Sequence, residues 1–182
     1  MLKIGVIAAY VREGSNTEQV ARWTLDYANN KNTDDVTYEL VSLIDYDLPS
    51  LGKTPTEEEA KAIQAWKDAV AQYDGYIFVT PEYNRATPGF FKNALDYLQP
   101  EVNNKPVAYV GFGGLSGLAA ISGLRVIAAE QQMADVGAMA TFSLNTDFEN
   151  FSVFKPNDYH KPTVDKMLDQ LLNWTRALKT IR

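Results

Sequence analysis

Three clusters of residues hold most of the chemistry this sequence could perform. The first, Arg12-Glu13-Gly14-Ser15-Asn16-Thr17, sets a guanidinium, a glycine and two hydroxyls just ahead of a helical pattern. A helix amino end leaves backbone N–H groups unpaired and carries the positive end of the dipole, which together bind phosphate. Arg12 adds a bidentate cation, and Ser15 or Thr17 a hydroxyl. The second cluster is Thr80-Pro81-Glu82-Tyr83-Asn84-Arg85-Ala86-Thr87-Pro88-Gly89. Backbone amides and carbonyls of Pro81 to Asn84 suit the polar edge of a planar ring, with Tyr83 beside its face. The third, Gly113-Gly114-Leu115-Ser116-Gly117, lets a backbone approach a ligand closely. Each cluster also has a plainer reading: Ser15 as an ordinary helix cap beside a solvated Arg12, Pro-Glu-Tyr-Asn as a strand-to-helix turn, and the glycines as turn geometry. Taken one at a time, the residues leave both readings open.

The elements around these clusters are strands and helices in alternation. Apolar runs at Lys3–Ala9, Val36–Leu43, Tyr76–Thr80, Pro106–Phe112 and Val136–Leu144 read as buried strands. Ser15-Asn16-Thr17-Glu18 reads as a capping box that starts a helix near Asn16, with Val20, Trp23, Thr24 and Tyr27 on one face. That helix is expected to end in the polar run Asn29-Asn30-Lys31-Asn32. A second helix begins at Thr56 and buries Ile63, Trp66, Val70 and Tyr73. Thr87-Pro88 reads as a third start, Thr87 supplying a capping hydroxyl and Pro88 the first helical position, with Phe90, Phe91, Ala94, Leu95 and Leu98 buried. A fourth helix runs from Leu118 to Met133, and a last one covers 162–181. Five strands alternating with helices predict an α/β fold: a doubly wound five-stranded parallel sheet of flavodoxin-like order 2-1-3-4-5, with helices on both faces. In such a sheet the loops after strands one, three and four share the carboxyl edge, where ligands bind.

Composition narrows the function further. The 182 residues read as one domain, with an irregular aromatic segment at 145–161 containing Phe148, Phe151, Phe154 and Tyr159. There is no cysteine, so thiol redox chemistry is excluded and electron transfer requires a bound cofactor. A net charge of −6 argues against nucleic acid, and anionic ligands must rely on local cations, for which Arg12, Arg85 and Lys92 are candidates. The amino-terminal apolar run is short and reads as a strand; no later run is long enough to span a bilayer, so a cytoplasmic protein is expected. Neither a G-x-G-x-x-G turn after the first strand nor a G-x-x-x-x-Gly-Lys-Ser/Thr phosphate loop for an NTPase occurs. His160, the only histidine, reads as a surface residue, and Asp45, Asp47 and Glu57 to Glu59 as a solvated loop and helix start rather than a metal site.

Pro81-Glu82-Tyr83-Asn84, then Thr87-Pro88-Gly89 and Lys92-Asn93-Ala94, resembles the NAD(P)H-dependent FMN reductase family of flavodoxin-like quinone, azo and FMN reductases. Arg12, Gly14 and Val20 coincide with that family's first loop, whereas Tyr10 stands at its first phosphate-binding serine and Ser15 where a second arginine is common. The likeness continues through Asn103-Asn104-Lys105-Pro106-Val107 and Gly113-Gly114 and covers about residues 3–144. It implies an FMN-dependent oxidoreductase that takes hydride from NAD(P)H and reduces a small acceptor: free flavin, a quinone or an azo compound. The cofactor-binding residues it implies are Arg12, Ser15, Pro81, Glu82, Tyr83, Asn84, Gly113 and Gly114, with charge-stabilising N–H donors at Gly113, Gly114 and around Tyr83 and Asn84. No acid–base residue is nominated, because the cofactor carries the chemistry. The resemblance also implies a homodimer or homotetramer, with the helices bearing Phe90 and Phe91 or following Gly117 as interface candidates and the aromatic segment covering a neighbouring subunit's flavin. A non-enzymatic FMN-binding electron carrier or sensor would show the same loops.

Overall fold

The computed structural model describes residues 1–31 and 35–182, so the expected helix end at Asn32 lies outside the described residues. Four strands, β1 (Leu2–Ala8), β2 (Val36–Ser42), β3 (Gly75–Pro81) and β4 (Pro106–Gly113), lie parallel in the order β2-β1-β3-β4. Two short strands, β5 (Ala134–Asp135) and β6 (Ala140–Ser143), share the far edge of β4. The order 2-1-3-4-5 is therefore present. Register sets Ala8 beside Val79 and Pro81 beside Phe112, so the ends of β1, β3 and β4 stand abreast.

Every residue of β3 and β4 is buried, which explains their unbroken apolar runs: helices cover both faces. On one face pack α1 (Asn16–Asn30) and α5 (Lys161–Leu178) through Val20, Ala21, Met167 and Leu171. On the other pack α2 (Glu57–Ala71), α3 (Gly89–Asp96) and α4 (Leu118–Glu130) through Trp66, Phe91, Ile121 and Leu124. Phe91 is fully buried against Phe78 with ring centroids 5.4 Å apart, and truncating such a side chain to alanine costs about 3–5 kcal/mol.

The helix starts differ in detail from expectation. Ser15 caps α1 by accepting from the Thr17 N–H at 3.3 Å, but Glu18 does not complete the box; its carboxylate takes Arg22 instead, at 2.9 Å. The complete box is at α2, where the Thr56 hydroxyl and the Glu59 carboxylate cap reciprocally. Thr87 does not cap α3: its hydroxyl pairs with that of Thr80 at 2.9 Å, and Pro88 precedes the helix rather than opening it.

The expected fifth strand is split. Val136 still donates to the Val107 carbonyl at 3.0 Å, but then the chain leaves the sheet. Arg125 from α4 pairs with Asp135 and donates to the carbonyls of Val136 and Gly137, while Ala138 N–H turns to Gln170 of α5 at 2.7 Å.

Segment 145–161 contains a small hairpin of β7 (Phe148–Glu149) and β8 (Val153–Phe154). Two of its aromatics pack against the body of this chain. Phe154 packs edge-on against Trp23 and Phe142, and Phe148 lies against Phe112, leaving Phe151 and Tyr159 exposed. His160 is not a surface residue. Its side chain is only 13% exposed and its Nε2 lies 2.9 Å from fully buried Asp147. Burial alone would raise the Asp147 carboxyl, but the N–H donors of Ser143 and Asn157 together with His160 hold it below the usual range.

Candidate functional site

At the carboxyl rim the loop after β1, the loop after β3 and the end of β4 enclose a cleft of about 190 Å³. Of the residues expected there, Arg12, Ser15, Pro81, Glu82, Tyr83 and Gly113 form its wall. Asn84 and Gly114 adjoin those residues in sequence but lie outside the lining. Asn16, Thr17, Phe112 and Leu144 complete it; sequence had raised Thr17 only as an alternative hydroxyl to Ser15.

The α1 end of the cleft is rich in unused donors. Among the described residues, the backbone N–H groups of Glu13, Gly14 and Asn16 have no protein partner. Gly14 makes the turn with φ +66, a value an L side chain resists. Thr17 is 1% exposed, yet its hydroxyl oxygen has no hydrogen-bond partner. A buried orphan of this kind is costly unless a ligand satisfies it. Among the described residues Arg12 and Arg85 form no ion pair, so both cations remain available. Lys92 does not: it is bound by Asp96 in its own helix at 2.6 Å. Tyr10, at the position of the family serine, is buried and donates its hydroxyl proton to Ser42 at 3.0 Å, so it belongs to the core and not to the cleft.

The loop after β3 is a tight reversal. Tyr83 and Ala86 exchange N–H···O bonds of 2.9 and 3.0 Å around Asn84 (φ 50) and Arg85 (φ 68), both in the left-handed region. Asparagine tolerates that conformation well, so the turn forms without glycine. This overturns part of the donor expectation. Proline has no N–H, that of Glu82 is spent on the Phe112 carbonyl at 2.9 Å, and that of Tyr83 on Ala86. Gly113 lies in the β4–β6 ladder opposite Ser143, and of the donors expected at the ring edge the N–H groups of Asn84 and Gly114 are left without a protein partner among the described residues. Tyr83 is half exposed, its ring available beside the cleft.

The Glu82 side chain has a structural task. Its carboxylate accepts from the Ala119 N–H at 3.0 Å and caps the start of α4. Gly117 caps that helix from the position just before it, with φ +78 and only 2.4 Å between the Phe112 nitrogen and the place a Cβ would occupy. Only glycine fits there, which ties the third loop to the end of β4.

This arrangement can hold an anionic group at α1 and a flat ring beside Tyr83. Among the described residues no group of three or more His, Cys, Asp or Glu could hold a metal ion. Residues 2–147 match the family described as NADPH-dependent FMN reductase. The chain is 34% identical over 155 residues to an NAD(P)H-dependent FMN reductase of Schizosaccharomyces pombe, covering 80% of this chain and 74% of that protein. It is 32% identical over 126 residues to an NADPH azoreductase of a Bacillus species, covering 68% and 66%. A solved flavoenzyme from Paracoccus denitrificans, an NAD(P)H:(acceptor) oxidoreductase, superposes with a TM-score of 0.73 over 97% of this chain and 98% of that one, at 19% identity.

Proposed function

The chain belongs to the NADPH-dependent FMN reductase family, and we propose that it is an FMN-dependent oxidoreductase oxidising NAD(P)H and reducing a small acceptor such as free flavin, a quinone or an azo compound. The observation that carries the reading is the cleft that joins the orphaned Thr17 hydroxyl and the unpaired amides of the first loop to the ring of Tyr83. When bound, FMN supplies the hydride chemistry.

The chain's own residues hold and orient. Arg12, Ser15 and Thr17, with the free N–H groups of Gly14 and Asn16, receive the phosphate. Pro81, Tyr83 and Gly113 would hold the ring, and the free N–H groups of Asn84 and Gly114, just beyond the lining, would be the donors nearest to its polar edge. Glu82 acts as a positioning residue, fixing the start of α4 against β3.

We read the protein as a cytoplasmic homodimer or homotetramer. Support comes from the exposed apolar side chains Leu118 and Val126 of α4 and Leu115 of the loop before it; the buried Phe91 is unavailable to a partner. No helix among the described residues is long and apolar enough to cross a membrane.

The test is a spectrum. Protein loaded with FMN is mixed anaerobically with NADPH and then NADH, and absorbance at about 450 nm, a property of flavin itself, is followed. Rapid bleaching is expected. Flavin that binds but stays yellow identifies a carrier, and protein that takes up no FMN refutes the reading.

A further inference from the structure

The chain has six arginines, and among the described residues four of them sit on carboxylates: Arg22 on Glu18, Arg125 on Asp135, Arg176 on Asp35 and Arg182 on Asp74. The two without an ion pair, Arg12 and Arg85, both stand on loops of the carboxyl rim. In a chain of net charge −6, two unpaired guanidinium groups on one rim concentrate positive charge where ligands arrive. Arg12 serves the phosphate end of the cleft, whereas no protein group among the described residues employs Arg85. Arg85 lies just outside the lining of the cleft, two residues past Tyr83, which belongs to it. It is exposed at the tip of the turn closed by the Tyr83–Ala86 pair, with φ 68. Among the described non-glycine residues with positive φ, it is the one that carries a charge. Asparagine or glycine would adopt that conformation at less cost, so the turn alone does not call for an arginine. Backbone strain of this kind gathers at ligand clamps.

We propose that Arg85 grips the bridging pyrophosphate of NAD(P)H and so seats the reductant over the ring beside Tyr83. The inference rests on the oxidoreductase reading and adds to it the residue that recognises the reductant. The FMN phosphate has its own anchors at the mouth of α1, in Arg12, the Thr17 hydroxyl and the free amides. Arg85 stands past the other end of that cleft, beyond Tyr83. A dinucleotide whose nicotinamide lies on the ring carries its pyrophosphate one ribose away, within range of a long side chain rooted two residues from Tyr83. Its 2′-phosphate, where present, lies farther out on the adenosine half. Paired phosphate oxygens suit the guanidinium fork, which binds them two at a time. Glu82, the nearest acidic residue in sequence, does not compete for the guanidinium, because its carboxylate is turned to the Ala119 N–H. The grip lies beside the ring and not in a second cavity, so the face of the ring serves reductant and acceptor in turn.

The test mixes FMN-loaded protein anaerobically with NADPH, NADH or the phosphate-free reductant N-benzyl-1,4-dihydronicotinamide and follows flavin bleaching by stopped flow. Arg85→Gln should raise the apparent Kd of NADPH and NADH alike by about tenfold, the lower end for a hydrogen bond to a charged group because the site is exposed. The limiting rate should hold, and the phosphate-free reductant should react as with the parent, as expected when only binding is lost. Added salt should weaken NADPH binding to the parent more steeply than to the variant. Arg85→Lys keeps the charge without the fork and should recover part of the affinity. Arg85→Asn relaxes the turn, so it should lose the same affinity yet melt no lower than the parent. An unchanged Kd, an equal loss with the phosphate-free reductant, or a lower melting temperature in Arg85→Asn would each overturn the proposal. So would an equal loss in Arg176→Gln, which removes the same charge at the opposite end of the sheet. A loss confined to NADPH would move the grip to the 2′-phosphate, and a changed oligomer in Arg85→Gln would give the arginine to a second copy; both refute the pyrophosphate assignment. If NADPH bleaches the parent and the variants behave like it, the grip alone is wrong. If NADPH does not bleach the parent, the oxidoreductase reading is wrong whatever the variants do.

Discussion

Replacing Thr17 by valine should move stability and cofactor affinity in opposite directions. Thr17 is in the first turn of α1, 1% exposed, and its hydroxyl is unpartnered. Valine keeps the branched shape and a similar helix propensity, so packing changes little. Removing a buried, unsatisfied hydroxyl recovers part of a penalty of about 1–3 kcal/mol. For a protein of this size each kcal/mol is roughly 2–4 °C in melting temperature. The FMN-free variant should therefore melt a few degrees higher than the parent. Affinity should fall, because a hydrogen bond to a charged phosphate contributes about 1.5–3 kcal/mol, or roughly 10- to 100-fold in Kd. Thermal unfolding without flavin and quenching of FMN fluorescence on binding measure the two effects separately. A variant that melts lower and binds FMN as before would refute the assignment of Thr17 to the phosphate end of the cleft.

Tyr10→Phe strands the Ser42 hydroxyl and should lower unfolding free energy in urea by about 1 kcal/mol, with FMN affinity unchanged; a large loss of affinity would return position 10 to the cleft. Gly117→Ala forces a left-handed residue against the Phe112 nitrogen and should cost about 2–4 kcal/mol, weakening FMN binding as well because the start of α4 must shift; a near-neutral effect on melting would contradict this. Burial pushes Lys105, whose Nζ donates to the Ala71 carbonyl at 2.8 Å and to the Tyr76 hydroxyl at 3.1 Å, down to about 8. Between that value and its ordinary one the unfolded chain holds the proton that the native state has released, so stability rises with pH through this window. Urea unfolding at about pH 7.5 and about pH 9.5, below the tyrosine titrations, should show the rise in the parent and a flatter profile in Lys105→Met.

What sequence disclosed and what it hid follow one physical line. Strands β1, β3 and β4 were legible because burial on both faces demands unbroken apolar runs. The split at the fifth strand was not. Val136–Leu144 satisfies the same pattern, and what diverts it is a guanidinium arriving from α4 and an amide from α5. Local spacing likewise placed Ser15 at the start of α1 but could not tell that Glu18 prefers Arg22. Around the cleft, the positions of Arg12, Ser15, Pro81, Glu82, Tyr83 and Gly113 were readable from their loops. Which N–H groups stay free was not, since that depends on the Tyr83–Ala86 turn, formed without the glycine that usually marks one. His160 misled because one histidine in a polar loop gives no hint of the buried Asp147 that draws it inward.

The carboxylate of Glu82 gives the rim a direction. By seating its carboxylate on the Ala119 N–H, it fills the mouth of α4 with one of the protein's own side chains, while the mouth of α1, a few residues beyond Arg12, stays open. An elongated molecule with one charged tail can then lie along the edge of the sheet in one sense and not the reverse. Exchanging Glu82 for glutamine would keep the shape of the cleft yet blur this head-to-tail distinction, so the residue that orients a guest need never touch it.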